Sequence, residues 1–204
     1  MHIAIAGNIG AGKTSLAELL SKHYKWEANF EDVIDNPYLD DFYMHMERWS
    51  FNLQVYFLNS RFRQLMNFNG SNKSVVQDRT VYEDAYIFAP NLHAMGLMNH
   101  RDFNNYQSLF ELMESMIKAP DLLIYLRSSI PNLVNKIHKR GRQYENSISI
   151  EYLNRLNERY EAWISTYDKG KLLIVDVDNL DFVDNKEDLG LIIEKVDAEL
   201  NGLF

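Results

Sequence analysis

Near the N-terminus, the residues that decide the fold read Ile3-Ala4-Ile5-Ala6-Gly7-Asn8-Ile9-Gly10-Ala11-Gly12-Lys13-Thr14. The first four form a short apolar run typical of a buried strand, and residues 15–22 have helical spacing. Between them, residues 7–14 match G-x-x-x-x-G-K-[ST], in which glycines let backbone N–H groups turn towards a phosphate. Lys13 would reach the β and γ oxygens, and the Thr14 hydroxyl could bind Mg²⁺. We therefore expect residues 7–14 to bind a nucleoside triphosphate; the alternative is a Gly-rich turn that only connects strand and helix.

Similar apolar runs, rich in β-branched residues, occur at residues 74–77, 122–126 and 172–175, with a weaker candidate at 27–30. Longer segments with helical spacing lie between them. We therefore predict an α/β fold with a parallel sheet covered by helices on both faces. Because the chain has only four prolines and nine glycines, it has no room for a flexible interdomain linker, and we expect one compact domain over residues 1–204.

Composition excludes several classes of protein. A chain of 204 residues with 46% hydrophobic composition is neither disordered nor fibrous. Its 21 Lys and Arg against 29 Asp and Glu give a net charge of −8, so we expect no polymeric nucleic acid as partner. The absence of cysteine excludes disulfides, thiolate metal sites and a cysteine nucleophile. There is no secretion signal and no apolar stretch of about 18 residues, so we expect a soluble cytoplasmic protein without membrane contact.

Charged residues follow two of the predicted strands. Glu31 comes after the weaker strand candidate, and Asp78-Arg79-Thr80 follows the run at 74–77. Open α/β sheets bind ligands at the carboxyl ends of their strands, so a general base could lie at Glu31 or Asp32. Asp78 could likewise be an Mg²⁺ ligand, and Arg79 a partner of a phosphate or hydroxyl. The basic cluster at 136–142 suits a lid over a transferred phosphoryl group. The alternative for each charge taken alone is a helix cap or a solvated residue.

Asn185-Lys186-Glu187-Asp188 matches the Asn-Lys-x-Asp pattern that reads guanine in GTPases. It lies well beyond the strand that should deliver it, and the chain contains no Asp-x-x-Gly, which disfavours a GTPase switch. We interpret the segment as the start of the last helix, with Asp184 as N-cap and Glu187 at the third helical position.

Taken together, these residues resemble the deoxynucleoside kinase family, in the group of deoxyadenosine, deoxyguanosine and deoxycytidine kinases. The resemblance covers almost the whole chain. Its parts are residues 7–14, Glu31, Glu47-Arg48-Trp49-Ser50-Phe51, Asp78-Arg79-Thr80-Val81-Tyr82-Glu83-Asp84, Arg140-Gly141-Arg142 and Asp176-Val177-Asp178. It implies a P-loop kinase fold, with a five-stranded parallel sheet between helices and a short basic lid at about 136–146. The implied reaction is transfer of the ATP γ-phosphoryl group to the 5′-hydroxyl of a deoxynucleoside, with Mg²⁺ as cofactor.

The resemblance also implies roles for single residues. Glu31 would take the 5′-hydroxyl proton, Arg79 would hold that hydroxyl and the nearby phosphate, and Asp78 would support Mg²⁺ beside Thr14. The implied catalytic residues are Glu31, Arg79, Lys13, Arg140 and Arg142. The implied ATP-binding residues are Gly7, Asn8, Ile9, Gly10, Ala11, Gly12, Lys13, Thr14, Lys136, Arg140, Arg142, Val177 and Asp178. The implied substrate-binding residues are Glu31, Tyr43, Gln54, Phe57, Arg61, Arg79, Asp84, Phe88 and Glu145.

Three positions depart from the usual family pattern. The family usually has Glu-Arg-Ser where this chain has Asp78-Arg79-Thr80. Lys136 stands where relatives often carry a third lid arginine, which replaces a bidentate fork by a point charge.

Similarity further predicts which deoxynucleoside binds. Tyr43 and Glu145 would hold the sugar 3′-hydroxyl, and the tyrosine ring would disfavour a ribose. Gln54 would pair with the base edge, on which Phe88 would stack. Arg61 and Asp84 argue against thymidine, because a carboxylate can accept from an exocyclic amine, although the same pair could be a structural salt bridge.

We expect deoxyadenosine as substrate, with deoxyguanosine or deoxycytidine as alternatives. Two further hypotheses stay open at this point. One is a nucleoside monophosphate kinase, which would share the phosphate loop and the basic lid. The other is a regulatory module that binds ATP without an acceptor.

The segment 49–68 is apolar on more than one side. Either it is a helix buried all round within the monomer, or it supports self-association. Because family members are dimers, the resemblance favours a homodimer.

Overall fold

The computed structural model describes residues 1–30, 36–68, 73–142, 145 and 147–202. Their strands are β1 (His2–Gly7), β2 (Glu27–Asn29), β3 (Val75–Asp78), β4 (Leu122–Arg127) and β5 (Lys171–Asp176). All of them pair in parallel, in the order β2-β3-β1-β4-β5. The predicted α/β class and five-stranded parallel sheet are confirmed, and every predicted strand end lies within one residue of the observed one.

The helices of the described ranges are α1 (Lys13–Tyr24), α2 (Leu39–Met44), α3 (Met46–Phe68), α4 (Val81–Glu83), α5 (Ala89–Ala94), α6 (His100–Glu114), α7 (Ile130–Arg140), α8 (Ile150–Ser165) and α9 (Lys186–Asn201); a π-helical turn, Asp84–Phe88, joins α4 to α5. The prediction that Asp184 caps α9 is wrong. The N-cap is Asn185, whose side chain accepts from the Glu187 backbone N–H at 2.9 Å. The Asp184 N–H donates instead to the Asp181 carboxylate, so Glu187 stands one position earlier in the helix than predicted.

Two apolar clusters, one on each face of the sheet, form the core. Along β1, Ile3 and Ile5 belong to the cluster that includes α1 and α9, whereas Ala4 and Ala6 belong to the cluster that includes α3 and α8. This alternation is the period-two geometry of a strand buried on both faces. It confirms the expected helical cover on both sides of the sheet.

The α3 helix is not buried all round. Leu53, Leu58 and Leu65 pack into the core, while Arg63 and Met66 remain exposed. The hypothesis of a helix fully enclosed by the monomer is therefore wrong. No helix in the described ranges is both long and apolar enough to cross a membrane.

The register of the sheet fixes where a ligand can bind. Ile5 pairs with Asp78 on one side of β1, and Gly7 pairs with Leu126 on the other. The ends of β1 and β3 therefore meet at one edge of the sheet, directly before the N-terminus of α1. This carboxyl edge is where open α/β sheets place their ligands.

Candidate active site

The loop between β1 and α1 needs glycine at specific positions. Gly10 and Gly12 have φ angles of +86° and +98°, in the left-handed region that glycine adopts without steric cost. A Cβ atom on Gly12 would lie 2.8 Å from the ring of Phe182, and one on Gly10 would lie 2.9 Å from a backbone oxygen. The loop therefore follows a path closed to other residues and ends at the N-terminus of α1, where backbone N–H groups favour an anion.

Asn8 ties this loop to α8. Its side-chain amide donates to the Leu153 carbonyl and to the Asn157 side chain, each at 3.0 Å, and its side-chain oxygen accepts from the Ile9 N–H at 2.8 Å. The Asn8 carbonyl accepts from the buried Lys13 ammonium at 3.0 Å. The loop is thus held in shape by the protein itself, as a preorganised phosphate site requires.

Thr14 and Asp78 form a pair of oxygen ligands. The Thr14 hydroxyl donates to Asp78 Oδ2 at 2.5 Å. Asp78 is 3% exposed, and its Oδ1 is buried with no hydrogen-bond partner among the described residues. Such an oxygen beside a phosphate loop fits Mg²⁺, which binds through one or two protein oxygens plus phosphates and waters. The part of the chain that the structure describes has no cluster of three or more His, Asp or Glu that would chelate a metal without a phosphate.

Arg79 follows Asp78 in a strained backbone conformation. Its φ angle is +70°, which for a residue other than glycine costs about 1 kcal/mol. Its N–H donates to the Ile5 carbonyl at 3.0 Å, and its guanidinium lies 4.3 Å from the centre of the Phe88 ring. Strain retained at one residue of a polar cleft is typical of a functional site.

A cavity of about 330 Å³ connects the phosphate loop to α3. Most of the predicted site residues line it: Ile9, Gly10, Lys13, Thr14, Tyr43, Gln54, Phe57, Asp78, Arg79, Asp84, Phe88, Arg140, Arg142 and Glu145. The cavity thus brings together predicted site residues that are far apart in the chain. The cavity is mixed in character, with apolar walls and a few polar groups, as in sites for small organic ligands.

Polar groups cluster at the α3 end of the cavity. Gln54 is 3% exposed, and its Oε1 is buried without a hydrogen-bond partner in the described ranges. Asp84 Oδ2 lies 2.6 Å from Arg61 Nη1, and both side chains are almost completely buried. Arg61 is not among the residues that line the cavity. Its guanidinium also lies 4.8 Å from the centre of the Phe57 ring. Burial, followed by the nearby Asp84 charge, raises the pKa of Tyr106 well above its ordinary value.

Glu145 lies within the predicted lid and is bound by two of its arginines. Arg140 Nε donates to Glu145 Oε2 at 3.0 Å, and Arg142 Nη1 lies 3.6 Å from Oε1. Glu145 is 5% exposed, so this carboxylate joins both arginines at the rim of the cavity. Residues 143, 144 and 146 of the lid lie outside the described residues.

Lys136 and Asp178 do not line the cavity, and their side chains contact other residues. The Lys136 ammonium lies 5.8 Å from the centre of the Phe182 ring, and burial lowers the pKa of Lys136. Asp178 Oδ1 accepts from the Ser129 N–H at 2.8 Å and from the Ser128 hydroxyl at 3.0 Å. Burial raises the pKa of the Asp178 carboxyl, but its hydrogen bonds lower the pKa by more, so the pKa lies below its usual value. Val177 beside it is fully buried. The Asp178 side chain thus fixes the segment after β5 to the start of α7.

Comparison with known proteins decides the family. The family model described as deoxynucleoside kinase matches residues 3–201. The chain belongs to the deoxynucleoside kinase family. It is 38% identical over 197 residues to a deoxyadenosine/deoxycytidine kinase of Bacillus subtilis, covering 95% of this chain and 90% of the relative. It is 40% identical to a deoxyadenosine kinase of Dictyostelium discoideum, covering 91% of this chain and 75% of that protein.

A solved structure gives the same result. The deoxyadenosine kinase from M. mycoides, with the products dCMP and a flexible dCDP bound, superposes with a TM-score of 0.86 at 32% identity, covering 97% of this chain and all of that one. The P-loop kinase fold is therefore confirmed, and this deoxynucleoside kinase is a phosphotransferase. The sequence resemblance to the family is confirmed as well.

Some parts of this kinase site were missed by the sequence prediction or lie beyond the described residues. Glu31, predicted as the base, lies outside the described residues; its neighbour Phe30 lines the cavity. Tyr152 also lines the cavity and was not predicted, because none of the sequence motifs includes it. Glu83 was not predicted either, although Thr80 and Glu83 have the spacing of a capping box, which the structure contains.

Proposed function

We propose that this kinase uses ATP and Mg²⁺ to phosphorylate the 5′-hydroxyl of deoxyadenosine in preference to other deoxynucleosides. The observation that carries the proposal is the continuous cavity from Lys13, Thr14 and Asp78 to Gln54 and Asp84. It offers a phosphate site and a base site in one cleft. Phosphoryl transfer needs little beyond such alignment and positive charge.

Each end of the cleft would have its own task in the reaction. Glu31 is proposed as the base that accepts the 5′-hydroxyl proton, and Arg79 would hold that hydroxyl next to the transferred phosphoryl group. Lys13, Arg140 and Arg142 would stabilise the charge that spreads over the phosphoryl oxygens in the transition state. Thr14 and Asp78 would hold Mg²⁺, which when bound neutralises charge on the phosphate oxygens.

Hydrogen-bond acceptors at the base end support an amine-bearing base. The buried Gln54 Oε1 is an acceptor, and Asp84 adds a carboxylate nearby. Gln pairs with adenine through an accepted bond from N6 and a donated bond to N7, whereas thymine presents an oxygen where adenine has its amine. Cytosine carries an equivalent amine, so deoxycytidine is the nearest alternative. Relatives named as deoxyguanosine kinases keep guanine among the candidates.

The proposed binding of the deoxyribose depends on Tyr43 and Glu145. Both line the cavity, and we propose that they hold the 3′-hydroxyl, with the tyrosine ring occupying the space that a 2′-hydroxyl would need. Adenosine should therefore be a poorer acceptor than deoxyadenosine. The proposed donor site consists of residues 7–14, Lys136, Arg140, Arg142, Val177 and Asp178.

One assay tests the substrate proposal. ATP-dependent ADP release would be measured with deoxyadenosine, deoxyguanosine, deoxycytidine, thymidine, adenosine and dAMP as acceptors. We expect the highest kcat/KM with deoxyadenosine. Thymidine in first place would refute our interpretation of Asp84, and dAMP in first place would identify a nucleoside monophosphate kinase. ATP binding without any acceptor-dependent ADP release would instead support the hypothesis of a regulatory module that binds ATP without an acceptor.

We further propose that residues 1–204 act as one kinase domain that forms a homodimer through α3. The exposed Arg63 and Met66 and the half-buried Phe51 and Val55 on this helix support the proposal. Sedimentation equilibrium at micromolar concentration should give twice the chain mass of 24.0 kDa. A monomer under these conditions would contradict it.

A further inference from the structure

The segment after β3 contains a buried capping box. Thr80 Oγ1 accepts from the Glu83 N–H at 3.4 Å, and Glu83 Oε2 accepts from the Thr80 N–H at 2.7 Å. In a common capping box, the glutamate satisfies a helix end at the protein surface. Here Glu83 has no exposed surface at all. A buried carboxylate is costly unless it is fully hydrogen-bonded, so its remaining partners matter.

The other oxygen of Glu83 reaches two further segments. Glu83 Oε1 accepts from the Gly7 N–H at 3.3 Å and from the Tyr160 hydroxyl at 2.8 Å. Burial, followed by the Glu83 charge, raises the pKa of Tyr160 well above its ordinary value, so this hydroxyl keeps its proton. A single carboxylate therefore joins the first residue of the phosphate loop, the turn after β3 and the α8 helix.

The hydrogen bonds of Glu83 lie next to the strained Arg79. The Arg79 N–H is bound by the Ile5 carbonyl on β1, and the next N–H along the chain, that of Thr80, is bound by Glu83. The same carboxylate binds Gly7, two residues beyond Ile5 on the same strand. The distance between the phosphate loop and the Arg79 turn is thus set by the Arg79–Ile5 hydrogen bond together with the two hydrogen bonds to Glu83.

We propose that Glu83 is a positioning residue of the kinase: its carboxylate holds the phosphate loop and the Arg79 turn in the alignment that phosphoryl transfer requires. The proposal rests on the proposed role of Arg79. Misplacing a reacting group by about 1 Å costs on the order of a hundredfold in rate, so a residue outside the cavity can control turnover through this distance.

Glutamine is the informative replacement, because it keeps the shape and removes one acceptor. Gly7 N–H, Thr80 N–H and the Tyr160 hydroxyl all donate to the Glu83 carboxylate. In Glu83→Gln, the amide nitrogen would face the Gly7 N–H in one orientation and the Thr80 N–H in the other. One backbone donor is therefore always set against another donor. The matched control is Glu194→Gln, the same chemical change at an exposed position of α9.

The test is steady-state kinetics with ATP and the best deoxynucleoside, together with the thermal midpoint of unfolding. In Glu83→Gln we expect kcat to fall about tenfold to a hundredfold. Both KM values should stay within about threefold of the wild type, since Glu83 is fully buried and does not line the cavity. The control should retain wild-type kinetics. An unchanged kcat overturns the proposal, and so does a lowered thermal midpoint with wild-type kcat, which would assign Glu83 a structural role alone.

Tyr160→Phe decides the question if Glu83→Gln does not fold. It removes one donor and keeps both backbone hydrogen bonds, so kcat should fall about twofold to fivefold at constant KM, in line with one lost bond of about 0.5–1 kcal/mol. An unchanged kcat in this folded variant would then overturn the proposal. If the wild type phosphorylates no deoxynucleoside, the proposed function itself is wrong; an active wild type with unaffected variants refutes only the role of Glu83.

Discussion

Removing the Asp84 carboxylate should both destabilise the protein and change its substrate preference. Arg61 Nη1 lies 2.6 Å from Asp84 Oδ2, and the two side chains are 3% and 1% exposed. Solvent therefore screens this pair very little. Deleting one member of such a buried pair costs about 3–5 kcal/mol, because the remaining charge loses a partner that water cannot replace. We expect Asp84→Ala to lower the free energy of unfolding by that amount in urea titrations.

The double variant separates the pair from its surroundings. Arg61→Met combined with Asp84→Ala removes both charges and keeps an apolar stem in place of arginine. Replacing a whole buried ion pair by apolar groups is often nearly neutral, so the double variant should be more stable than Asp84→Ala alone by about 2 kcal/mol or more. An Asp84→Ala loss below about 1 kcal/mol, or a double loss equal to the sum of the single ones, would refute a coupled buried pair.

The same variants test the base site. A hydrogen bond from a base amine to a carboxylate contributes about 1.5–3 kcal/mol. In Asp84→Ala, kcat/KM for deoxyadenosine should therefore fall about tenfold to a hundredfold relative to thymidine. An unchanged ratio between the two substrates in a folded variant would show that Asp84 does not read the base.

Three further predictions concern the reaction and the fold. Glu31→Gln should lower kcat by about a hundredfold or more with an unchanged thermal midpoint, and near-normal turnover would remove Glu31 from the role of base. Asp78→Asn should raise the Mg²⁺ concentration for half-maximal activity about tenfold, because a carboxylate oxygen is lost; the same Mg²⁺ requirement in both proteins would argue against a metal ligand at Asp78. Because the pKa of Asp178 is lowered in the folded state, its contribution to stability is present above pH about 4 and is lost as the pH falls further. Asp178→Asn should consequently lose less stability than the wild type between pH 6 and pH 3 in acid unfolding curves, and parallel curves would contradict this.

Local patterns predict the sheet and the phosphate loop well. Apolar runs bounded by Gly, Asp, Asn or Pro give each strand to within one residue, because burial on both faces leaves few other arrangements. The motif at residues 7–14 also predicts a strand directly before it and a helix directly after it, and the structure contains both. The family resemblance predicts that residues such as Gln54 and Glu145 share one site, and both line the cavity. No local sequence pattern indicates that these two residues lie close together.

Other features depend on contacts that the sequence does not display. Asp184 and Asn185 are both good helix caps, and only the folded loop decides between them. The tie from Asn8 to Asn157 joins segments far apart in the chain, and the spacing of neither residue indicates the other. The capping-box spacing of Thr80 and Glu83 is visible in the sequence, but the burial that gives Glu83 its further partners is not.

The position of β1 in the sheet has a consequence for how the protein is made. Ile3 pairs with Val76 on one side and with Leu122 on the other, so both edges of the strand before the phosphate loop await partners that are synthesised much later. Parallel pairing over such separations is slow, and an apolar strand with two open edges invites intermolecular pairing. On the ribosome, the nascent β1 therefore emerges early and cannot complete its place in the sheet until β4 has been synthesised. Sequestration by a chaperone in this interval should raise the yield of active enzyme.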